Sequence, residues 1–207
     1  MDCNCPAPSA LTEITNENCG LDLKQIQRIA IQRRQGYGVF TPATILTLSA
    51  WQGLITASDD TKIVLTPMIG GDPVIEAGEA ITNGGGDNST LNGVEEVEGV
   101  NPSAFSCMFK SLSPKVEAQI KKLMCEKNLM VYFFLQGGRV ACWADDINAL
   151  PTAQQLRGID IQSFFLSDRN NAGYGTKDTN TMSFAIVEGW SEKLVVFKPD
   201  FNPFTDI

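Results

Sequence analysis

The stretch Leu129-Met130-Val131-Tyr132-Phe133-Phe134-Leu135 constrains this chain most, because it is apolar and aromatic without interruption. Successive side chains of a strand point to opposite faces, so such a strand needs cover on both. One face takes a facing sheet, and the other takes a helix or a neighbouring subunit. Gly137-Gly138 follows and suits a two-residue hairpin turn, where both positions need positive φ. That turn sets Leu135 opposite Val140, Phe133 opposite Cys142 and Tyr132 opposite Trp143.

Just before this strand, residues 113–127 read as a helix. Ser113 is a good N-cap, and Pro114 sits at the first helical position, where a missing N–H costs nothing. Val116, Ile120, Leu123 and Met124 follow at the spacing of one buried stripe. Glu117 lies one turn before Lys121, and Lys121, Lys122 and Lys127 fall towards the negative end of the helix dipole. Nearly everything after this helix reads as strand: Ile159 to Leu166, then Met182, Phe184 and Ile186 in alternation, then Leu194 to Phe197, with Ser167 to Lys177 a polar loop. The expected fold is therefore mainly β, an antiparallel sandwich or half-barrel with one flanking helix.

Upstream the pattern is weaker. Residues 1–20 read as an N-terminal arm, proline-rich and without a period. The main domain is placed at 21–200. Leu21 to Gln35 fits helix or strand, with strand favoured. Ile45-Leu46-Thr47-Leu48 is rich in strand formers, Ala57 to Thr61 is turn chemistry, and Ile63-Val64-Leu65 is a strand that Pro67 ends. Trp51 is expected at an edge of the core. Residues 68–98 differ in kind. Met68 to Pro102 holds eight glycines and two prolines. Val74-Ile75-Glu76 and Val94-Glu95-Glu96-Val97 flank a Gly84-Gly85-Gly86-Asp87-Asn88 tip, which reads as a long projecting hairpin loop. The C-terminal tail, residues 201–207, carries Phe201 and Phe204 between prolines. A tail that apolar docks on its own domain or on a partner.

Charge narrows the function. The 207 residues carry a net charge of −8, which disfavours a general nucleic-acid binder. No Lys or Arg occurs between Lys62 and Lys110, where Asp72, Glu76, Glu79, Asp87, Glu95, Glu96 and Glu98 all fall. The plainest reading of such a run is a solvated acidic loop. No apolar run reaches the ~20 residues of a membrane-spanning helix, so no membrane partner is expected. The N-terminus has neither a basic nor an apolar region of the secretory kind, which points to synthesis in a cytoplasm.

The chain has six cysteines and no histidine. Cys107, Cys125 and Cys142 sit among apolar neighbours and read as small core residues. Cys3, Cys5 and Cys19 lack the fourth ligand of a closed zinc site, so no metal or cofactor is expected. Histidine-based triads are impossible, and no nucleophile elbow or Walker loop occurs. Asp87-Asn88-Ser89 with Glu98 spans a calcium loop but lacks its middle ligands. Adjacent Asp145-Asp146 reads as a polar turn. The pair Asp145 with Asp160 is the sole nomination for a carboxylate enzyme, and no enzyme is expected.

Several phrases of this sequence resemble the tail tube protein (major tail protein) family of long-tailed bacteriophages. They are Trp51 with Lys62-Ile63-Val64-Leu65-Thr66-Pro67, the Gly84-Gly85-Gly86-Asp87 tip, Asn101-Pro102-Ser103-Ala104-Phe105, Leu112-Ser113-Pro114 and Pro199-Asp200-Phe201-Asn202-Pro203. The opening Cys3-Asn4-Cys5-Pro6-Ala7-Pro8 is similar to structural proteins of phages of Bacteroidetes-like hosts. The resemblance implies a virion protein assembled in the host cytoplasm. It implies rings of this chain, typically of six, stacked into a hollow tail tube that also meets other phage tail proteins. DNA passes through during ejection without specific binding. The bridging loop would carry Asp72, Glu76, Glu79, Asp87, Glu95 and Glu98, and the arm and tail would be candidates to reach a neighbour. The alternatives are another virion ring protein (tail terminator, baseplate or head-completion) and a soluble β-sandwich binding module.

Overall fold

A computed structural model describes residues 14, 21–23, 25–34, 39–71, 73–86, 89–90, 93–146 and 154–207. Twelve strands and two α-helices follow in chain order: β1 Ile26–Arg33, α1 Leu48–Thr56, β2 Ile63–Leu65, β3 Val74–Glu76, β4 Ala80–Asn83, β5 Glu96–Val100, β6 Ser103–Lys110, α2 Pro114–Lys122, β7 Leu129–Leu135, β8 Arg139–Ala144, β9 Leu156–Arg157, β10 Ile159–Leu166, β11 Thr179–Ile186 and β12 Leu194–Phe197. The fold is mainly β, and every strand pair is antiparallel.

β7 is the branch point. β1 runs along the whole of one edge, from Arg33 opposite Leu129 to Ile26 opposite Leu135. The other edge is shared. Leu129–Val131 pair with β10, whereas Phe133–Leu135 pair with β8. The sheet therefore forks into a leaf β2-β1-β7-β8-β12 and a leaf β10-β11-β6-β3. β9 and β10 form nearly one strand, interrupted at Gly158, where pairing passes from β8 to β7. A Cβ at Gly158 would lie 2.8 Å from Met130 Cγ and 3.1 Å from the Val131 nitrogen, so only glycine fits the crossing.

The fork explains why β7 is buried on both faces, all seven residues being below 4% exposed. Leu129, Val131, Phe133 and Leu135 point between the leaves, where they meet Phe105, Phe109, Ile161, Phe184 and Ile186. Tyr132 and Phe134 point the other way, into a second core with Phe40, Ile45, Trp51, Val140 and Cys142. Burial of this many large apolar side chains, each worth about 1.5–3 kcal/mol, holds the fork together.

The second core corrects two expectations. Ile45-Leu46-Thr47-Leu48 is not a strand: Thr44–Leu46 is a 3₁₀ turn and α1 begins at Leu48. Trp51 is fully buried at the centre of that core, stacked on Phe40 at 4.7 Å, with its indole N–H donating to the Ile45 carbonyl at 2.9 Å. Here the apolar surface offered by β7 and β8 overrides the local strand preference of Ile45 to Leu48. The described residues thus form two α-helices where one was expected. Phe201, Phe204 and Ile207 also pack on this core, and the half-buried Arg28 donates to the Pro203 and Ile207 carbonyls. The tail docks on its own chain rather than reaching outwards.

The β7–β8 register is one residue off the expectation. Leu135 pairs with Arg139, Phe134 with Val140 and Phe133 with Ala141. Three residues, Gln136, Gly137 and Gly138, make the turn, and Gly138 N–H donates to the Leu135 carbonyl. A shift of one residue exchanges the faces. Cys142 accordingly shares a core with Tyr132 and Phe134, not with Phe133.

Candidate assembly surface

α2 lies across the mouth between the leaves. Ser113 Oγ accepts from the Val116 N–H at 3.3 Å and Pro114 follows at N1, which fixes the start of the helix. Ile120 is buried, with Val116 and Leu123 packed beside it against the main core. Met124 departs from the expected stripe and is 40% exposed. After Lys122 the helix tightens into a 3₁₀ turn, Leu123–Cys125, which advances each residue by a third of a turn and swings Met124 outwards. The same turn leaves Cys125 exposed, against the expectation of a core residue. Cys107 and Cys142 are buried, and burial pushes the Cys107 thiol up to about 12 and the Cys142 thiol higher still.

The carboxylates of α2 are answered within the chain. Glu117 accepts from Lys121 Nζ at 2.8 Å and lies 3.6 Å from Arg169. Glu126 takes Arg33 at 2.7 Å. The hydrogen bond from Lys121 holds Glu117 below the usual carboxylate range, and the one from Arg33 does the same for Glu126. Lys115, Lys122 and Lys127 are exposed, and no carboxylate is recorded within ion-pairing distance of them among the described residues.

At the other end of β6 lies the acidic segment. The expectation of one long projecting loop needs dividing. β3 belongs to the main sheet, paired with β6 through Val74 opposite Ser106 and Glu76 opposite Ala104. Only β4 and β5 project, as a separate two-stranded sheet with Ala80 opposite Val100 and Asn83 opposite Glu96. No residue of either strand is buried. Ile81 is 43% exposed, and Val94 and Val97 are each 59% exposed. The base is tight. Asn101 N–H donates to the Glu79 carbonyl at 2.8 Å, and a Cβ on Gly78 would stand 1.6 Å from the Asn101 carbonyl oxygen.

Glu76, Glu79, Glu95 and Glu98 are all exposed; Glu98 accepts from Asn83 Nδ2 at 2.8 Å. Asp72 and Asp87 lie outside the described residues, as does the Cys3, Cys5 and Cys19 arm. The strand-like reading of Val94 to Val97 is met in part, since β5 begins at Glu96 and runs to Val100. Ile81, Val94 and Val97 are scattered among glutamates, and only the absence of any core beneath them marks them out.

Two edges of the second leaf are open among the described residues. β3 pairs only with β6, and the Gln162–Leu166 part of β10 pairs only with β11. The leaf's outward face carries Ala104, Ser106, Met108, Thr181 and Phe165 exposed. β6 itself was not anticipated as a strand, although Phe105, Cys107 and Phe109 alternate with exposed residues along it.

Both members of the nominated carboxylate pair are ion-paired within the chain. Asp145 takes Arg157 Nε at 2.8 Å, and Asp160 takes Arg157 at 2.7 Å and Arg34 at 3.1 Å. Arg157 of β9 ion-pairs with both acids and so ties the end of β8 to β10.

No family model and no curated protein matches this chain. Among solved structures, a chain from the tail of an empty GTA particle, computed with helical refinement in C6 symmetry, is similar at 11% identity and a TM-score of 0.34. That match covers 63% of this chain and 85% of the other. A chain from the sixfold-symmetrised baseplate of the anti-feeding prophage is similar at 12% identity and a TM-score of 0.31, covering 91% of this chain and 100% of the other. Both neighbours are parts of tail-type particles, one a tail and one a baseplate, and at these scores neither likeness assigns a function.

Proposed function

We propose that this chain is a structural virion protein that assembles into stacked rings, forming a tail tube through which DNA passes. The observation that carries the proposal is the β4–β5 hairpin. A two-stranded hairpin without a core is at best marginally stable in water. This one holds Ile81, Val94 and Val97 in solvent on a base that Gly78 and Asn101 clamp to the main body. A projecting element of that kind is completed by a partner.

The open edges of the second leaf supply the ring contact. In this reading, β3 of one copy joins the Gln162–Leu166 edge of β10 in the next. Joining removes two unpaired strand edges at once. A head-to-tail contact of this sort closes as a ring when the rotation permits. The outward face of that leaf, with Ser106, Ser183 and Thr181 between Glu76 and Lys110, lines the lumen, and the hairpins bridge successive rings. Six copies per ring is the number the family resemblance implies. In this reading the chain acts as a wall.

Negative-stain electron microscopy of the purified chain across a concentration series tests this. Rings or tubes are the expected result. A monodisperse monomer at every concentration, with the hairpin intact, would remove the proposal in favour of a binding module.

A further inference from the structure

We propose that the exposed face of α2, with Lys115 and Lys122, together with Met124 and Lys127 in the segment just after it, seats the β4–β5 hairpin of a second copy of this chain. The inference rests on the stacking reading above and names the surface that receives the hairpin.

Charge is the first argument. Residues 63–109 hold seven carboxylates and no Lys or Arg, against a net charge of −8 for the whole chain. No cation is recorded within ion-pairing distance of Glu79, Glu95 or Glu96 among the described residues. On α2 the situation is reversed. Arg33, Lys121 and Arg169 neutralise the two carboxylates of that region, leaving three exposed lysines. Among the described residues, Glu79, Glu95 and Glu96 thus stand without a cation within ion-pairing distance, and Lys115, Lys122 and Lys127 without a carboxylate.

Shape is the second. Lys115, Ala118, Lys122 and Cys125 follow at spacings of three and four, so they share one helix face, and all four are exposed. Ala118 makes that face shallow, and Met124, a side chain that adapts to irregular surfaces, borders it. The hairpin exposes apolar residues among its glutamates, Ile81 on one face opposite Gly99 and Val97 on the other opposite Thr82.

Placement is the third. The hairpin springs from the Ser103 end of β6, and α2 begins just past the Lys110 end. Eight strand residues, roughly 25 Å, separate them. Donor and seat therefore lie at opposite ends of one strand. A contact between two different surfaces set this way repeats along an axis instead of closing between two copies.

The test uses the full chain in two charge-reversed forms. One carries Lys115→Glu with Lys122→Glu, and the other Glu95→Lys with Glu96→Lys. Circular dichroism and thermal melting establish that both fold, as these exposed positions allow. Sedimentation velocity and electron microscopy then follow assembly. Each form alone should need about tenfold more protein to assemble, the factor set by a loss of roughly 1.4 kcal/mol. Mixed in equal amounts they should assemble near the wild-type concentration, since each then meets an oppositely charged surface. If the lysine-reversed form assembles like wild type while the glutamate-reversed form does not, the seat lies elsewhere and stacking stands. If the mixture fails to recover, complementarity between these two surfaces is wrong. If wild type itself never assembles, the stacking reading and this inference fall together.

Discussion

β7 and the β4–β5 hairpin are both strands containing isoleucine, valine or leucine, yet all seven residues of β7 are buried and none of the hairpin's nine is. β7 is paired along both edges and covered on both faces; the hairpin pairs only with itself. The difference lies in what surrounds each apolar side chain in sequence. An unbroken apolar run must be placed at the centre of the fold, because no other position satisfies it. Apolar residues diluted by glutamate and glycine can stay at the surface, where they become available to another molecule. One region makes the fold, and the other is incomplete until something binds it.

The largest effect should come from β7. Phe133 is fully buried and its ring lies 5.5 Å from that of Phe105. Phe133→Ala should cost about 3–5 kcal/mol, read from urea unfolding. A loss below about 1 kcal/mol would mean that β7 is not the centre of the core. The crossing beside it should respond next. Gly158→Ala pushes a Cβ against Met130 and the fixed Val131 nitrogen, so about 1–3 kcal/mol should be lost by the same measurement.

Where the sequence was legible, a single physical demand acted at each position. β7 needed two apolar faces, and Ser113-Pro114 needed a helix start; both lie where the pattern puts them. The misreadings share a cause, which is that partners distant in sequence decide them. Leu48–Thr56 becomes α1 because Trp51 fits a hollow lined by Phe40, Tyr132 and Phe134. The β8 register depends on Gln136 joining the turn, which Gly137-Gly138 alone does not announce. The projecting hairpin starts later than expected because β3 finds a partner in β6. Within the candidate surface the acidic run was plain in composition. The seat on α2 was not, since it depends on which lysines are already paired.

Acid acts on the ion pairs around α2. The hydrogen bond from Lys121 holds Glu117 and Asp168 below their ordinary values of 4.5 and 3.8, and the one from Arg33 does the same for Glu126. A carboxylate whose folded value is depressed binds fewer protons folded than unfolded. Its contribution is present above the ordinary value and is lost as pH falls through the depressed one. Thermal melting should therefore show stability falling as pH drops below 4.5, and Lys121→Met should flatten that slope. An unchanged slope would mean these pairs are fully screened at the surface.

The smallest effect on stability should come from removing the hairpin itself. Ala80–Val100 replaced by Asn-Gly leaves Glu79 and Asn101 as the flanks of a two-residue turn. Their hydrogen bond, 2.8 Å from Asn101 N–H to the Glu79 carbonyl, already has the geometry such a turn closes. Among the described residues nothing buried is removed, because no residue of β4 or β5 contributes to either core. The melting temperature should move by no more than about 2 °C, within the shift that 1 kcal/mol gives a chain of this size. Assembly, by contrast, should be abolished. A fall of about 10 °C would instead place the hairpin within the cooperative body, and the contrast with β7 would become one of degree. Unchanged melting with unchanged assembly would be the more damaging result, since it would leave a coreless, acidic hairpin with exposed apolar residues and no physical reason to project.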